Sequence, residues 1–194
     1  MIYKSFLIEN NINEIKENLI LFYGENLGLK NDLKKKIKNL KDKNTIIFNQ
    51  DNIISNSGLL YNEISNNSLF EKNKVFIIEQ VTDKILAIIE EIIPKINNET
   101  IYLFSDVLDK KSKLRSFFEK SNLCGVVPCY EDNEIGIKNI INKKLSGYSG
   151  LTPNNINLIL DHVGLNRAKL NNEIDKIQTF FDKKEIISSK LEIL

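Results

Sequence analysis

The sequence predicts an α/β fold, a parallel sheet with helices on both faces, followed by a small three-helix domain. Three observations carry this. Short apolar runs alternate with amphipathic stretches from Leu19 to Pro128. Those runs are apolar at consecutive positions, as strands covered on both faces are, rather than alternating with polar residues. After Pro128 the strand pattern stops and only helical periodicity continues.

Leu19-Ile20-Leu21-Phe22-Tyr23, closed by Gly24, reads as the first buried strand. Leu29, Leu33, Ile37 and Leu40 then recur at helical spacing between lysines, which makes one face of a helix. Thr45–Phe48 reads as a second strand, and Leu60 with Ile64 as a short helix. Lys74–Glu79 is a third strand. Ile85, Ile88, Ile89 and Ile92 mark a helix that stops near Pro94, where a backbone donor is missing. Thr100–Ser105 is a fourth strand, Leu114, Phe117 and Phe118 lie on a helix, and Gly125-Val126-Val127 is a short fifth strand.

Beyond the polar stretch Cys129–Asn133, Ile137, Ile140, Ile141 and Leu145 line one helix, which Gly147-Tyr148-Ser149-Gly150 breaks. Thr152-Pro153 is a helix start, since Thr caps free N–H groups and Pro suits the first turn. Ile156, Leu160 and Val163 line that helix and Gly164 ends it; Leu170, Ile174, Ile177 and Phe181 line the last one. Two domains follow, residues 1–130 and residues 131–194.

The bulk numbers exclude several functions. Lys and Arg total 27 against 26 Asp and Glu, so the net charge is +1, without the basic excess of a dedicated nucleic-acid binder. A local basic patch stays open: Lys110, Lys111, Lys113 and Arg115 form a basic stretch at a helix start, read as a solvated face with phosphate contact as the alternative. Cys124 and Cys129 make neither a disulfide framework nor a zinc ribbon, and read as reduced thiols flanking a buried strand. His162, the single histidine, sits at a helix end as a cap or surface group. Asp106 and Asp109 follow a strand and read as turn formers that cap the helix at Lys111, with metal binding as the alternative. No apolar run is long enough to cross a bilayer and the N-terminus is unlike a signal peptide. The expectation is a cytoplasmic protein without membrane contact.

Several stretches carry a family likeness. They are Leu21-Phe22-Tyr23-Gly24-Glu25, Ser68-Leu69-Phe70, Leu103-Phe104-Ser105, Leu108-Asp109-Lys110-Lys111-Ser112-Lys113-Leu114, Gly164-Leu165-Asn166-Arg167 and Asn172-Glu173. In this order, and in these element types, they resemble the delta subunit of the bacterial DNA polymerase III clamp loader. The layout of sheet domain and helical lid is AAA+-like. The resemblance implies a subunit that binds and helps open the sliding clamp during DNA replication. Its partners would be that clamp, the ATPase and other loader subunits, and primer-template DNA through the complex. Nucleotidyl transfer then belongs to the polymerase holoenzyme, not to this chain. In that family a Leu-Phe pair enters an apolar pocket on the clamp. Leu69 and Phe70 match it, with Ser68 flanking; the alternative is that the pair is ordinary core. The family's third, collar domain has no counterpart before Leu194.

A working P-loop reads G-x-x-x-x-G-K-[ST]. Counting from Gly24, the second glycine position holds Leu29, the lysine position Lys30, and the hydroxyl position Asn31. Leu29 adds a side chain where backbone must wrap phosphate, and Asn31 lacks the hydroxyl that holds Mg²⁺. The third strand ends Glu79-Gln80, where ATPases place an Asp and then a Glu. Gln80 is no carboxylate base. Arg167 lies where AAA+ proteins keep a phosphate-sensing arginine on the lid, but with the P-loop eroded a salt bridge within the small domain is the favoured reading. Lys30 is expected to be a solvated residue at a helix start. Gly24, Lys30 and Arg167 are thus the remnants of a degenerate nucleotide site that needs no cofactor or metal. The rival reading is a divergent P-loop ATPase that binds nucleotide through Lys30 and Arg167.

Overall fold

The computed structural model describes residues 1–40, 44–56, 58–65 and 74–194. The expected tip, Ser68, Leu69 and Phe70, lies outside the described residues. The chain forms two compact units, Met1–Glu25 with Lys30–Cys129, and Asn26–Leu29 with Tyr130–Leu194.

The first unit holds five parallel strands in the order β2-β3-β4-β1-β5: β1 (Leu19–Tyr23), β2 (Asn44–Asn49), β3 (Lys74–Glu79), β4 (Thr100–Phe104) and β5 (Cys124–Pro128). Its helices are α1 (Ser5–Asn10), α2 (Leu27–Lys38, whose first turn groups with the second unit), α3 (Gln50–Ser55), α4 (Gly58–Ser65), α5 (Leu86–Ile92) and α6 (Lys113–Lys120). Helices cover both faces of the sheet. On one face Phe22 stacks on Phe104 at 4.7 Å, and the Lys34 ammonium of α2 lies 5.4 Å from the Phe104 ring centre. On the other, the Tyr23 hydroxyl donates to Glu119 of α6 at 3.0 Å, and the Arg115 guanidinium sits 4.9 Å from the Tyr23 ring. With Phe22 and Tyr23 both buried, each side chain contributes about 1.5–3 kcal/mol.

Three features differ from the sequence expectations. Among the described residues the edge strand β2 pairs only with β3, and it is partly exposed, with Ile47 among the exposed apolar residues. The N-terminal residues extend the sheet past β5: Tyr3 N–H donates to the Val126 carbonyl at 2.8 Å, and Val126 N–H to the Met1 carbonyl at 2.9 Å. The cap of α6 is Ser112 rather than Asp109. Asp109 closes the preceding turn by accepting the Lys111 N–H at 2.6 Å, whereas Ser112 accepts from Arg115 N–H at 3.1 Å. Asp83, on the turn before α5, completes the cap by accepting the Ser112 hydroxyl at 2.6 Å and the N–H groups of Lys113 and Leu114 at 3.0 Å each.

The second unit contains α7 (Glu134–Lys144), α8 (Pro153–Val163), α9 (Arg167–Phe180) and the short α10 (Ser188–Leu191). Its starts obey the expected chemistry, with Asn133, Thr152 and Asn166 accepting N–H groups of the first turns. Gly164 ends α8 at φ 60. The buried stripe of α8 is Asn155, Ile159 and Val163; Ile156 and Leu160, expected to face the core, are only partly buried at its side. Among the described residues no helix is long and apolar enough to cross a membrane.

Candidate functional site

In an open parallel sheet, ligands bind beyond the carboxyl ends of the strands, where the strand order turns back. In the first unit that place lies past β1 and β4. Gly24 follows β1, and Ser105-Asp106 follow β4. Gly24 adopts φ +133, which side chains disfavour, and its N–H donates to the Asp106 carbonyl at 3.2 Å. A Cβ at this position would lie 2.3 Å from the Cys129 carbonyl oxygen. Chain packing therefore accounts for this glycine without any phosphate.

Lys30 corrects an expectation. It is not solvated but 4% exposed. Its Nζ turns inward, donating to the Ser105 carbonyl at 2.8 Å and to Asp106 Oδ1 at 3.0 Å. Gly24 and Lys30 thus converge on Asp106, through its backbone and its side chain. The amine standing at the P-loop lysine position is held by its own sheet. A phosphate would have to displace a buried charge-assisted hydrogen bond to reach it.

One turn further along α2, Lys34 Nζ pairs with Glu79 at 2.7 Å, so the one carboxylate at the end of β3 also has a cation. Gln80 next to it sits at φ 57, and its side-chain oxygen accepts from the Asn49 amide.

The rest of the loop and Arg167 belong to the second unit. Asn26 caps α2: its side-chain oxygen accepts the Leu29 N–H at 2.9 Å. Its amide group donates to the Tyr130 carbonyl at 3.0 Å and to Asp132 Oδ2 at 2.8 Å. Arg167 grips the same carboxylate at two points, Nε to Oδ2 at 2.8 Å and Nη2 to Oδ1 at 2.7 Å. Both partners are largely buried. The salt bridge within the small domain is therefore the arrangement present. Gly28 lies tight against the start of α9; a Cβ there would be 2.6 Å from Ala168 N and 2.7 Å from the Arg167 carbonyl carbon. Leu29 is buried, and its N–H is already committed to the Asn26 side chain.

The remaining candidates are structural. His162 is exposed, 3.6 Å from Glu173. Cys124 and Cys129 are buried free thiols, and burial pushes the Cys124 thiol up, away from nucleophilic character. No metal-ligating group of three or more His, Cys, Asp or Glu exists among the described residues. Asn26 and Asp132 were not singled out from the sequence. The Asn-x-x spacing ahead of Leu29 is a capping signal for the first; nothing local marks Asp132 as the partner of an arginine 35 residues on.

No family model matches this sequence, and no curated protein does. Among solved structures, the fold is similar to that of the Bacillus subtilis DNA clamp loader delta protein (YqeN), with a TM-score of 0.60 and 15% identity. That match covers 98% of this chain and 62% of the other, so this chain spans under two thirds of that length. It is similar also to Rhizobiales Trip13, with a TM-score of 0.58 and 9% identity, over 97% of this chain and 80% of that one. At such identities the likeness is one of fold, an AAA+-like parallel sheet with surrounding helices.

Proposed function

We propose that this chain is a clamp-loader subunit of the delta type, which binds a sliding DNA clamp and helps to open it without hydrolysing ATP itself. The observation that supports it best is the likeness in fold to the Bacillus subtilis DNA clamp loader delta protein over nearly the whole chain. The inward engagement of Lys30 and of Arg167 supports the non-catalytic half of the proposal.

On this reading Leu69 and Phe70, flanked by Ser68, anchor in an apolar pocket of the clamp. Two such side chains supply about 1.5–3 kcal/mol each on full burial, enough for the hot spot of a modest interface. Opening needs no chemistry by this chain. It needs the open clamp to be bound more tightly than the closed one, and about 2.7 kcal/mol of preference moves that ratio roughly 100-fold. ATPase subunits of the loader would provide the nucleotide-driven step, and DNA would be met through the complex.

Lys30 and Arg167 are retained, and the fold is also similar to Rhizobiales Trip13, so a divergent nucleotide-binding AAA+ protein is the alternative.

Surface plasmon resonance on immobilised bacterial sliding clamp tests the proposal. We expect saturable binding, at least about tenfold weaker for the Leu69→Ala, Phe70→Ala double variant at unchanged circular dichroism. Absence of binding by the unmodified chain rejects clamp recognition. Undiminished binding by the folded double variant rejects the tip. Submillimolar, Mg²⁺-dependent ATP binding favours the alternative.

A further inference from the structure

One exposed face of the first unit carries a charge pattern to which the nucleotide loop contributes no residue. On α6, Lys113, Ser116, Phe117 and Lys120 fall at i, i+3, i+4 and i+7 and so form a single stripe. Together with Leu86 of α5 and with Lys110 and Lys111 on the preceding turn, they line a wide, open concavity of about 710 Å³. Leu86 and Phe117 are partly buried at the edge of the main core, so the floor is apolar. The four lysines around it are exposed.

None of the four ammonium groups forms an ion pair among the described residues, and no carboxylate lines the concavity. The acid at the neighbouring helix start, Asp83, accepts from Ser112 and from the N–H groups of Lys113 and Leu114, and of the four lysines Lys113 acts on it through its charge. In a chain with net charge +1 this is a marked local excess of positive charge.

We propose that this face docks an acidic peptide segment of another protein, with one large apolar side chain seated on Leu86 and Phe117 between flanking carboxylates. The spacing suits such a ligand. Lys113 and Lys120 are seven residues apart on the helix, a rise of about 10 Å. In an extended peptide at about 3.3 Å per residue, two acids three positions apart span the same distance, with room for an apolar residue between them. A bare phosphate would leave the apolar floor unused. The backbone N–H groups that would hold a phosphate at the start of α6 are already taken by Asp83 and Ser112. The proposal does not depend on clamp binding.

Fluorescence anisotropy of a labelled peptide, Asp-Asp-Phe-Gly-Asp-Asp, against the full chain tests it. We expect saturable binding that weakens with salt, since the pairs are exposed. A drop of roughly tenfold or more is expected for Lys113→Glu with Lys120→Glu, and for a peptide with Ser in place of Phe. Lys110→Gln with Lys111→Gln, outside the helix, should also weaken it and guards against misfolding of α6. Failure of the peptide to bind, or equal binding by both folded double variants, overturns the proposal. Tighter binding of short oligothymidylate than of the peptide overturns it in favour of a nucleic-acid surface.

Discussion

Lys30 Nζ and Asp106 Oδ1 stand 3.0 Å apart, the lysine side chain 4% exposed and the aspartate 93%. The two halves of this pair therefore live in different media. Water screens the carboxylate, so the ion pair itself contributes little. The buried bond from the same ammonium to the Ser105 carbonyl is the stronger tie, and without it that carbonyl loses a partner beside a desolvated amine. The lysine that would serve a nucleotide instead ties α2 to the end of β4.

Substitution should separate the two contacts. Lys30→Met keeps the volume and removes the donor, and is expected to cost roughly 1–3 kcal/mol in urea unfolding. Asp106→Asn should cost less than about 1 kcal/mol. Equal losses would place the energy in the exposed pair.

The Arg167–Asp132 contact is of the opposite kind, with both partners largely buried and two hydrogen bonds in parallel. Arg167→Ala leaves a buried carboxylate with Asn26 as its one remaining donor among the described residues, and a loss of about 3–5 kcal/mol is expected in thermal or urea unfolding. Arg167→Lys should recover only part of it, because an ammonium has no planar fork to offer the carboxylate.

Gly28→Ala should destabilise the protein by roughly 1–3 kcal/mol, although Ala favours helices intrinsically. The added methyl would meet backbone atoms of Arg167 and Ala168, which cannot swing aside as a flexible side chain does. Thermal unfolding of the variant checks the sign.

Asp83 gives the protein an acid limb. The Ser112 hydroxyl first, and then the Leu114 and Lys113 N–H groups, hold its carboxyl below the usual carboxylate range. A depressed folded pKa means stability that is present above the unfolded value, near 3.8, and is lost as pH falls through the folded value. Asp83→Asn should cost about 1 kcal/mol at neutral pH, as loss of a cap does, and should flatten stability against pH below about 4. Urea midpoints measured from neutral to acid pH read both effects.

Much of this architecture was legible in the sequence, and the exceptions have physical causes. The strands Leu19–Tyr23 and Lys74–Glu79 announce themselves as apolar runs bounded by polar residues or glycine. The six-residue helices Ser5–Asn10 and Gln50–Ser55 are too short to show a period. The inner stripe of α8 was displaced because Asn155, a polar residue, is buried, its amide donating to the Gly150 carbonyl at 2.8 Å. At the candidate site, the loss of the second glycine and of the hydroxyl at Asn31 was plain. The burial of Lys30 was not, because its partners Ser105 and Asp106 lie 75 residues and more along the chain. Charge alone cannot tell a solvated lysine from one that has folded inward. For Arg167 the salt bridge within the small domain was the favoured reading, but its partner was not legible, because Asp132 sits in a polar stretch that reads as linker.

The central proposal is a clamp grip that does not wait for nucleotide. Its most direct test is titration of sliding clamp into this chain by calorimetry, with and without MgATP. The same dissociation constant is expected in both, within about twofold, with no heat from MgATP alone. Clamp binding that appears only with MgATP, or fails in both, would contradict it.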